Sequence, residues 1–333
     1  MTRIPAPSAS ERVRFARGPV LLLGLLLAAC GPRGASTGER FTFAFSPPDG
    51  TGFIQHLKSK RVQKFAGAEH ETQALTHESE SATRFTIQKT ESGYQVRAEE
   101  VSTVMTRNGE PVNDPVTKLL RAMPATYETD PEGRFLGIRG FENVSDRLAS
   151  ELPAELSSRL ASVLTEETLT RQGMEEWNGR YGDLVGRTIE IGDVLASSRE
   201  VDFAGGVSAV RYAATWFPEI TPCDGRDCVR VRVFHGTELQ ALEDRLAKEI
   251  GKPARRLFDD ITEPSSPGGF ASEGEIDRLV DPATLLVQEE TQRRTVTREI
   301  PMNDQLIGVL TINETKHYTF EYAPPSELRA ERL

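Results

Sequence analysis

Along most of the chain, apolar and polar residues alternate. Phe41-Thr-Phe-Ala-Phe45 does so, and so does Thr83-Arg-Phe-Thr-Ile87, which a Glu91-Ser-Gly93 turn separates from Tyr94-Gln-Val-Arg-Ala98. A period of two marks strands with one buried face. Past Ala98 the alternation slips by one residue, to Val101, Thr103 and Met105. That slip predicts a β-bulge near Glu99 and Glu100. Asp130-Pro-Glu-Gly133 predicts a turn that feeds a further strand over 134–139.

Between about 144 and 178 the period becomes helical. Leu148, Leu152, Leu156, Leu160 and Leu164 recur every fourth residue. Pro153 breaks or kinks this run, Thr165-Glu-Glu-Thr starts a new helix, and Gly179 can end it. A further helix is expected over 237–250, with Thr237 and Gln240 as its capping box, Leu239, Leu242, Leu246 and Ile250 on one face, and Gly251 as its stop.

Strands then return. Val210, Tyr212, Ala214 and Trp216 alternate, as do Val229, Val231 and Val233, so these read as the arms of one antiparallel hairpin. The stretches 273–299 and 304–323 give at least two more long strands, the last with Tyr318, Phe320 and Tyr322 on one face. Segment 262–274 reads as a loop. Strands, then helices, then strands, without βαβ alternation, predict an α+β fold. Its expected form is a curved, half-barrel-like antiparallel sheet with the leucine-striped helices packed on the concave face. The folded part is expected over 41–325, as one lobe or as two with a boundary near 195–205.

Residues 19–29, PVLLLGLLLAA, follow a basic stretch and end in small residues. This is the order of a secretory signal. As a helix these residues would span roughly 16 Å, about half of the ~30 Å hydrocarbon core, so they make a poor membrane span. Leu27-Ala28-Ala29-Cys30-Gly31 resembles the lipobox of bacterial lipoproteins. The resemblance implies a signal peptide over 1–29, lipidation of Cys30, and a flexible tether over 30–40. A thioether-linked diacylglycerol plus an N-acyl chain anchors stably, where one chain would not. Gly31, in place of Asp, resembles cargo destined for the outer membrane. The implied location is therefore the cell envelope, on the periplasmic face of that membrane.

Charge narrows the partners. The chain carries −10, and its first 30 residues contribute +3 (Arg3, Arg12, Arg14 and Arg17 against Glu11), which leaves −13 for the rest. Nucleic acid is thereby disfavoured as a partner, as is electrostatic adhesion to anionic lipid. Once Cys30 carries lipid, Cys223 and Cys228 remain as a pair around an Asp224-Gly225 turn. A disulfide closing a hairpin is the expected reading in an oxidising compartment; a redox pair or half of a metal site are the alternatives.

Chemistry-bearing motifs are sparse. The sequence holds no His-Glu-x-x-His, no Gly-x-Ser-x-Gly and no phosphate loop. His70 and His77 stand seven residues apart on an expected strand and so face opposite ways. Neither a metal nor a cofactor is expected. Paired acids (Glu99/Glu100, Glu175/Glu176, Asp259/Asp260) read as solvated surface. The outline of long strands, helices and export resembles the half-barrel LolA/LolB-like lipoprotein carriers and related mycobacterial lipid-binding lipoproteins, which implies a cavity for acyl chains. The expected role is non-catalytic binding of a lipid or another hydrophobic ligand. The alternatives are a structural lipoprotein that engages another envelope protein, and a hydrolase with a cryptic site.

Overall fold

The computed structural model describes residues 38–67, 70–113, 115–121, 123–161, 164–203, 207–251, 257–258, 269–303 and 306–323. The lipobox, Leu27 to Gly31, lies outside them. Ser36–Leu333 forms one compact unit, which is the subject below. Its elements run β1 (Arg40–Thr42), β2 (Gly52–Gly67), β3 (His70–Thr90), β4 (Gly93–Arg107), β5 (Glu110–Pro111), α1 (Pro115–Arg121), β6 (Ala125–Thr129), β7 (Phe135–Arg139), α2 (Val144–Glu151), α3 (Ala154–Ala161), α4 (Glu166–Trp177), a π-helical turn (Asn178–Gly182), β8 (Thr188–Glu190), β9 (Val194–Phe203), β10 (Val207–Trp216), β11 (Ile220–Cys223), β12 (Arg226–Gly236), α5 (Leu239–Ile250), β13 (Phe270–Val280), β14 (Val287–Asn303) and β15 (Leu306–Ala323).

Thirteen of these strands make one large, open, curved antiparallel sheet. Its order is β7-β6-β4-β3-β2-β15-β14-β13-β12-β10-β9, with β5 added on β4 and β11 on β12, while β1 and β8 pair separately. The last strand therefore sits between β2 and β14, so residues 309–323 pair with 52–66 at the middle of the sheet. The position near 195–205 falls within β9.

The expected bulge is present. Ala82 pairs with Ser102 and Thr83 with Glu100, which leaves Val101 as the extra residue. β10 and β12 pair antiparallel, Ala214 opposite Phe234, as expected, but they are not the arms of one hairpin, because β11 intervenes. β11 forms a tight hairpin with β12. Asp224 and Gly225 both take positive φ, 45° and 75°, as a two-residue hairpin turn requires, and Cys223 and Cys228 are disulfide-bonded with Cα atoms 5.8 Å apart.

The register assigns each side chain to a face. Phe53, Phe85, Ile87, Val96, Val229, Val231, Val280 and Tyr322 belong to the main core, which is closed by the chain's own Phe43, Phe45, Trp177, Leu184 and Phe217. The covering segment is thus β1, the end of α4, the π turn and β8. Phe45 meets Tyr94, Trp177 and Tyr181 edge-on, with centroids 5.2–5.7 Å apart. The Trp177 Nε1–H donates to the Gly133 carbonyl at 2.9 Å. Both ends of that side chain are therefore satisfied, the apolar body by packing and the N–H by backbone.

Two expectations about the helices need correction. The leucine stripe does not cover the main core. Leu148 and Leu152 are buried with Leu119 and Met123, and Leu156, Leu160 and Leu164 pack on them, in a separate cluster built with α1. Nor do all helices share one face. α5 sets Leu242 and Leu246 against Tyr212, Ala214 and Phe234, residues that point away from Val231 and Val233. Periodicity defines an apolar stripe, but it does not say which partner buries it.

Candidate functional site

The π turn is held to the sheet by buried charge. Arg180, Arg278 and Glu290 are 8%, 3% and 1% exposed. β13 and β14 place Arg278 opposite Glu290, and β15 places Tyr318 beside it. Arg180 comes down from the turn. Its Nη1 donates to Gln55 Oε1 at 3.0 Å, its Nη2 lies 3.5 Å from Glu290, and its guanidinium stands 5.1 Å over the Tyr318 ring. Arg278 donates to the carbonyls of Arg180 and Gly179 at 2.8 and 2.9 Å, which fixes the backbone of the turn. Burial alone would raise the Glu290 carboxyl, yet Arg180 and Arg278 hold it below the ordinary carboxylate range. A π turn extends α4 past Gly179, where the sequence predicts a stop: the Asp183 N–H reaches back five residues to the Asn178 carbonyl at 3.0 Å. The extra residue in the turn accompanies the descent of Arg180 onto the sheet.

Beside this latch the described residues leave the same face of the sheet uncovered. A cleft of about 320 Å³ opens between the π-turn segment and strands β9, β10, β12 and β13. Its floor carries Leu195, Ala213, Val231, Val233 and Ile276, which adjoin across the strands in one register row and the next. Arg199, Arg211 and His235 close its far side, and Asp183 and Arg187 form the rim.

His235 lies flat on Gly274. A Cβ at Gly274 would stand 2.4 Å from the His235 ring, so a glycine is needed at this position. Burial, followed by Arg211, Arg294, Arg245 and Arg199, pushes the His235 pKa down to about 3, and its Nδ1 has no hydrogen-bond partner among the described residues. The ring is therefore neutral in the fold, while in the unfolded chain it protonates below about 6.5. A lowered folded pKa means that stability holds above 6.5 and declines as the pH falls toward 3. We expect the unfolding free energy to drop by about 2 kcal/mol between pH 7.5 and pH 5 on this account. His235→Gln should remove that part of the slope in urea titrations at the two pH values. Identical slopes for the two proteins would show that the imidazole is solvated.

The residues singled out from the sequence fall in different places. Cys30 and its neighbours Leu27, Ala28, Ala29 and Gly31 are outside the described residues. Cys223 and Cys228 are joined at the edge of the sheet, on the β11–β12 hairpin. His77 is half-buried near Arg61 and Arg107, which, after burial, lower its pKa, and Glu78 pairs with Lys60 at 2.9 Å. Among the described residues no three potential metal ligands come together. Glu176, expected as plain surface, is 3.8 Å from Arg180 and accepts a 3.5 Å hydrogen bond from the Tyr127 hydroxyl. Thr237 does not cap α5. Its hydroxyl accepts the Ser272 N–H at 3.0 Å, and the N-cap position is Glu238.

No protein-family model matches the chain, and no curated protein matches it. Solved structures give weak likenesses. Lipovitellin, from a study of its lipid–protein interactions, aligns with a TM-score of 0.41 at 8% identity, over 83% of this chain and 26% of that one, so the chain spans about a quarter of lipovitellin's length. A predicted lipoprotein from Parabacteroides distasonis aligns at 0.26 and 12% identity, over 81% and 97%. An outer membrane channel from Pseudomonas putida aligns at 0.17 and 7% identity, over 84% and 98%. Scores this low carry no argument about function.

Proposed function

We propose that this chain is a non-catalytic, lipid-anchored protein of the cell envelope that holds a lipid or other hydrophobic small molecule in the cleft between the π-turn segment and β9–β13. The observation behind this reading is the uneven cover of one face of the sheet. Where Phe53, Ile87 and Val96 line it, the chain fills the space itself. Where Leu195, Val233 and Ile276 line it, the space is open. Its volume falls at the lower end of the range of small-molecule pockets, and apolar area left in water costs about 25 cal/mol per Å² until something covers it. Anchorage is assigned to lipid on Cys30, on the periplasmic face of the outer membrane, where an oxidised Cys223–Cys228 pair is at home.

The test is extraction. Protein purified from the envelope and treated with organic solvent should release one non-covalent apolar molecule per chain by mass spectrometry, distinct from the acyl groups that stay on Cys30. Ala213→Trp, which fills the cleft, should lower that yield at least ten-fold while thermal stability is kept. Solvent extracts without such a molecule, together with no uptake of a fluorescent naphthylamine probe, would overturn the reading.

A further inference from the structure

The far side of the cleft carries an arrangement that folding alone does not account for. The register of β9 and β10 places Arg199 directly opposite Arg211. Like charges opposite one another on adjacent strands destabilise a sheet by some tenths of a kcal/mol or more. Elsewhere this protein resolves such encounters with acids: Arg232 is answered by Glu275 and Glu249, Arg230 by Glu219 and Asp277, Arg226 by Asp281. Neither the Arg199 nor the Arg211 guanidinium has an acidic partner or a hydrogen bond among the described residues. Glu175 and Asp183 are near enough to Arg211 to act on its charge, but not to bond it.

The surroundings sharpen the mismatch. Burial, then Arg199 and Arg294, pull the Arg211 pKa down to about 10, so the fold bears a cost to keep this guanidinium where it is. Arg187 stands on the rim and spends its Nε–H on the Asp183 main-chain carbonyl at 2.6 Å. Arg278, on the floor, already has an acid partner in Glu290, 3.7 Å from its Nε, which it shares with Arg180. Three arginines thus remain against one acid, Asp183, around an opening in a chain whose net charge is −10. Apolar Leu195, Val231, Val233 and Ile276 lie next to them in the same cleft.

We propose that Arg199 and Arg211 form a head-group site for an anionic amphiphile, with a single phosphate or carboxylate bridging the two guanidinium groups and an aliphatic tail lying on the floor. This deepens the proposed function and rests on it. Two arginines across one strand pair offer forked donors to one oxyanion. A bound anion also turns their mutual repulsion into shared attraction. His235, neutral and diagonal to the pair, adds no competing charge.

Titration calorimetry on the full-length, lipidated protein in mild detergent tests this, with decyl phosphate, decanol and inorganic phosphate as probes. Decyl phosphate should bind at least ten-fold more tightly than either decanol or inorganic phosphate. The double variant Arg199→Gln/Arg211→Gln should lose at least ten-fold in decyl phosphate affinity and leave decanol binding unchanged. Arg211→Lys, which keeps the charge, should recover part of the loss. Because the double variant relieves repulsion, its melting temperature without ligand should be equal to or above that of the parent, so a folding defect would be recognised. Equal affinity for decanol and decyl phosphate, unmoved by the double variant, overturns the head-group site and leaves the apolar cleft standing. Inorganic phosphate binding as tightly as decyl phosphate overturns the amphiphile in favour of a small free anion. No binding of either decyl compound to the parent protein overturns the cleft reading itself.

Discussion

Glu290→Gln should lower the free energy of unfolding by about 3–5 kcal/mol, the cost of leaving buried charge without its partner. The carboxylate is 1% exposed and is the counter-charge shared by Arg180 and Arg278. Glutamine keeps its shape but not its charge. Arg180 would keep its neutral contacts with Gln55 and Tyr318, and as an acid only Glu176 among the described residues, 3.8 Å away on a side chain 58% exposed, where water screens the attraction. Arg278 would keep two carbonyls and no anion. The urea midpoint is the direct measurement. Replacing all three charged groups together by apolar residues of similar volume should cost far less, because a buried ion pair stabilises little relative to good apolar packing. A loss below about 1 kcal/mol for Glu290→Gln would mean that water reaches the cluster. The acid limb carries a second signature. Glu290 has its folded pKa lowered, so its contribution is present above the ordinary carboxylate value near 4.5 and is lost as the pH falls below it. The His235 slope begins higher, near 6.5, and overlaps the Glu290 limb only below about 4.5, so the His235 variant alone should flatten the upper part of the titration curve.

Cys30→Ser should transfer the chain wholly from the membrane fraction to the soluble one, and should abolish labelling by a palmitate analogue. Lipid on Cys30 is the assigned anchor. No helix among the described residues is long and apolar enough to cross a bilayer, and a chain of −13 beyond residue 30 is repelled by anionic head groups. Two or more acyl chains hold a protein far more firmly than surface contact can. Label retained on the serine variant would overturn the lipobox assignment.

The strands were the most legible part of this chain, because a one-sided sheet prints its burial as a period of two. The slip after Ala98 even located the bulge, which the register puts at Val101. Local punctuation held in part: the break at Pro153 separates α2 from α3, Thr165 accepts the Thr168 N–H at 3.1 Å, and Gly251 closes α5 with a φ of 70°, but Gly179 did not stop the chain's helical course and Thr237 did not cap α5. Questions of partnership were illegible. The leucine stripe could have packed on the sheet or on another helix, and α1 supplied the answer: its Val116, Leu119 and Leu120 stand at helical spacing, but over a stretch too short to stand out from the strands around it. Arg278 did leave a trace, since it falls in phase with Ile276 and Val280 on the apolar face of β13. Arg180 left none, because the π turn that delivers it carries no pattern. The opposition of Arg199 and Arg211 exists only once the β9–β10 register is known.

The placement of β15 between β2 and β14 has a consequence for how the molecule comes into being. β2 must wait for β15, which follows it by more than two hundred residues. Until residues 306–323 arrive, β2 and β14 are two raw margins, each offering a row of unpaired amides and carbonyls to any passing strand. Loop closure across more than two hundred residues makes this joining step slow by its nature. On the proposed export route the delay would help, since a threadable chain is what a translocation channel accepts. A chain cut short before residue 306 would be left as two half-sheets with open edges.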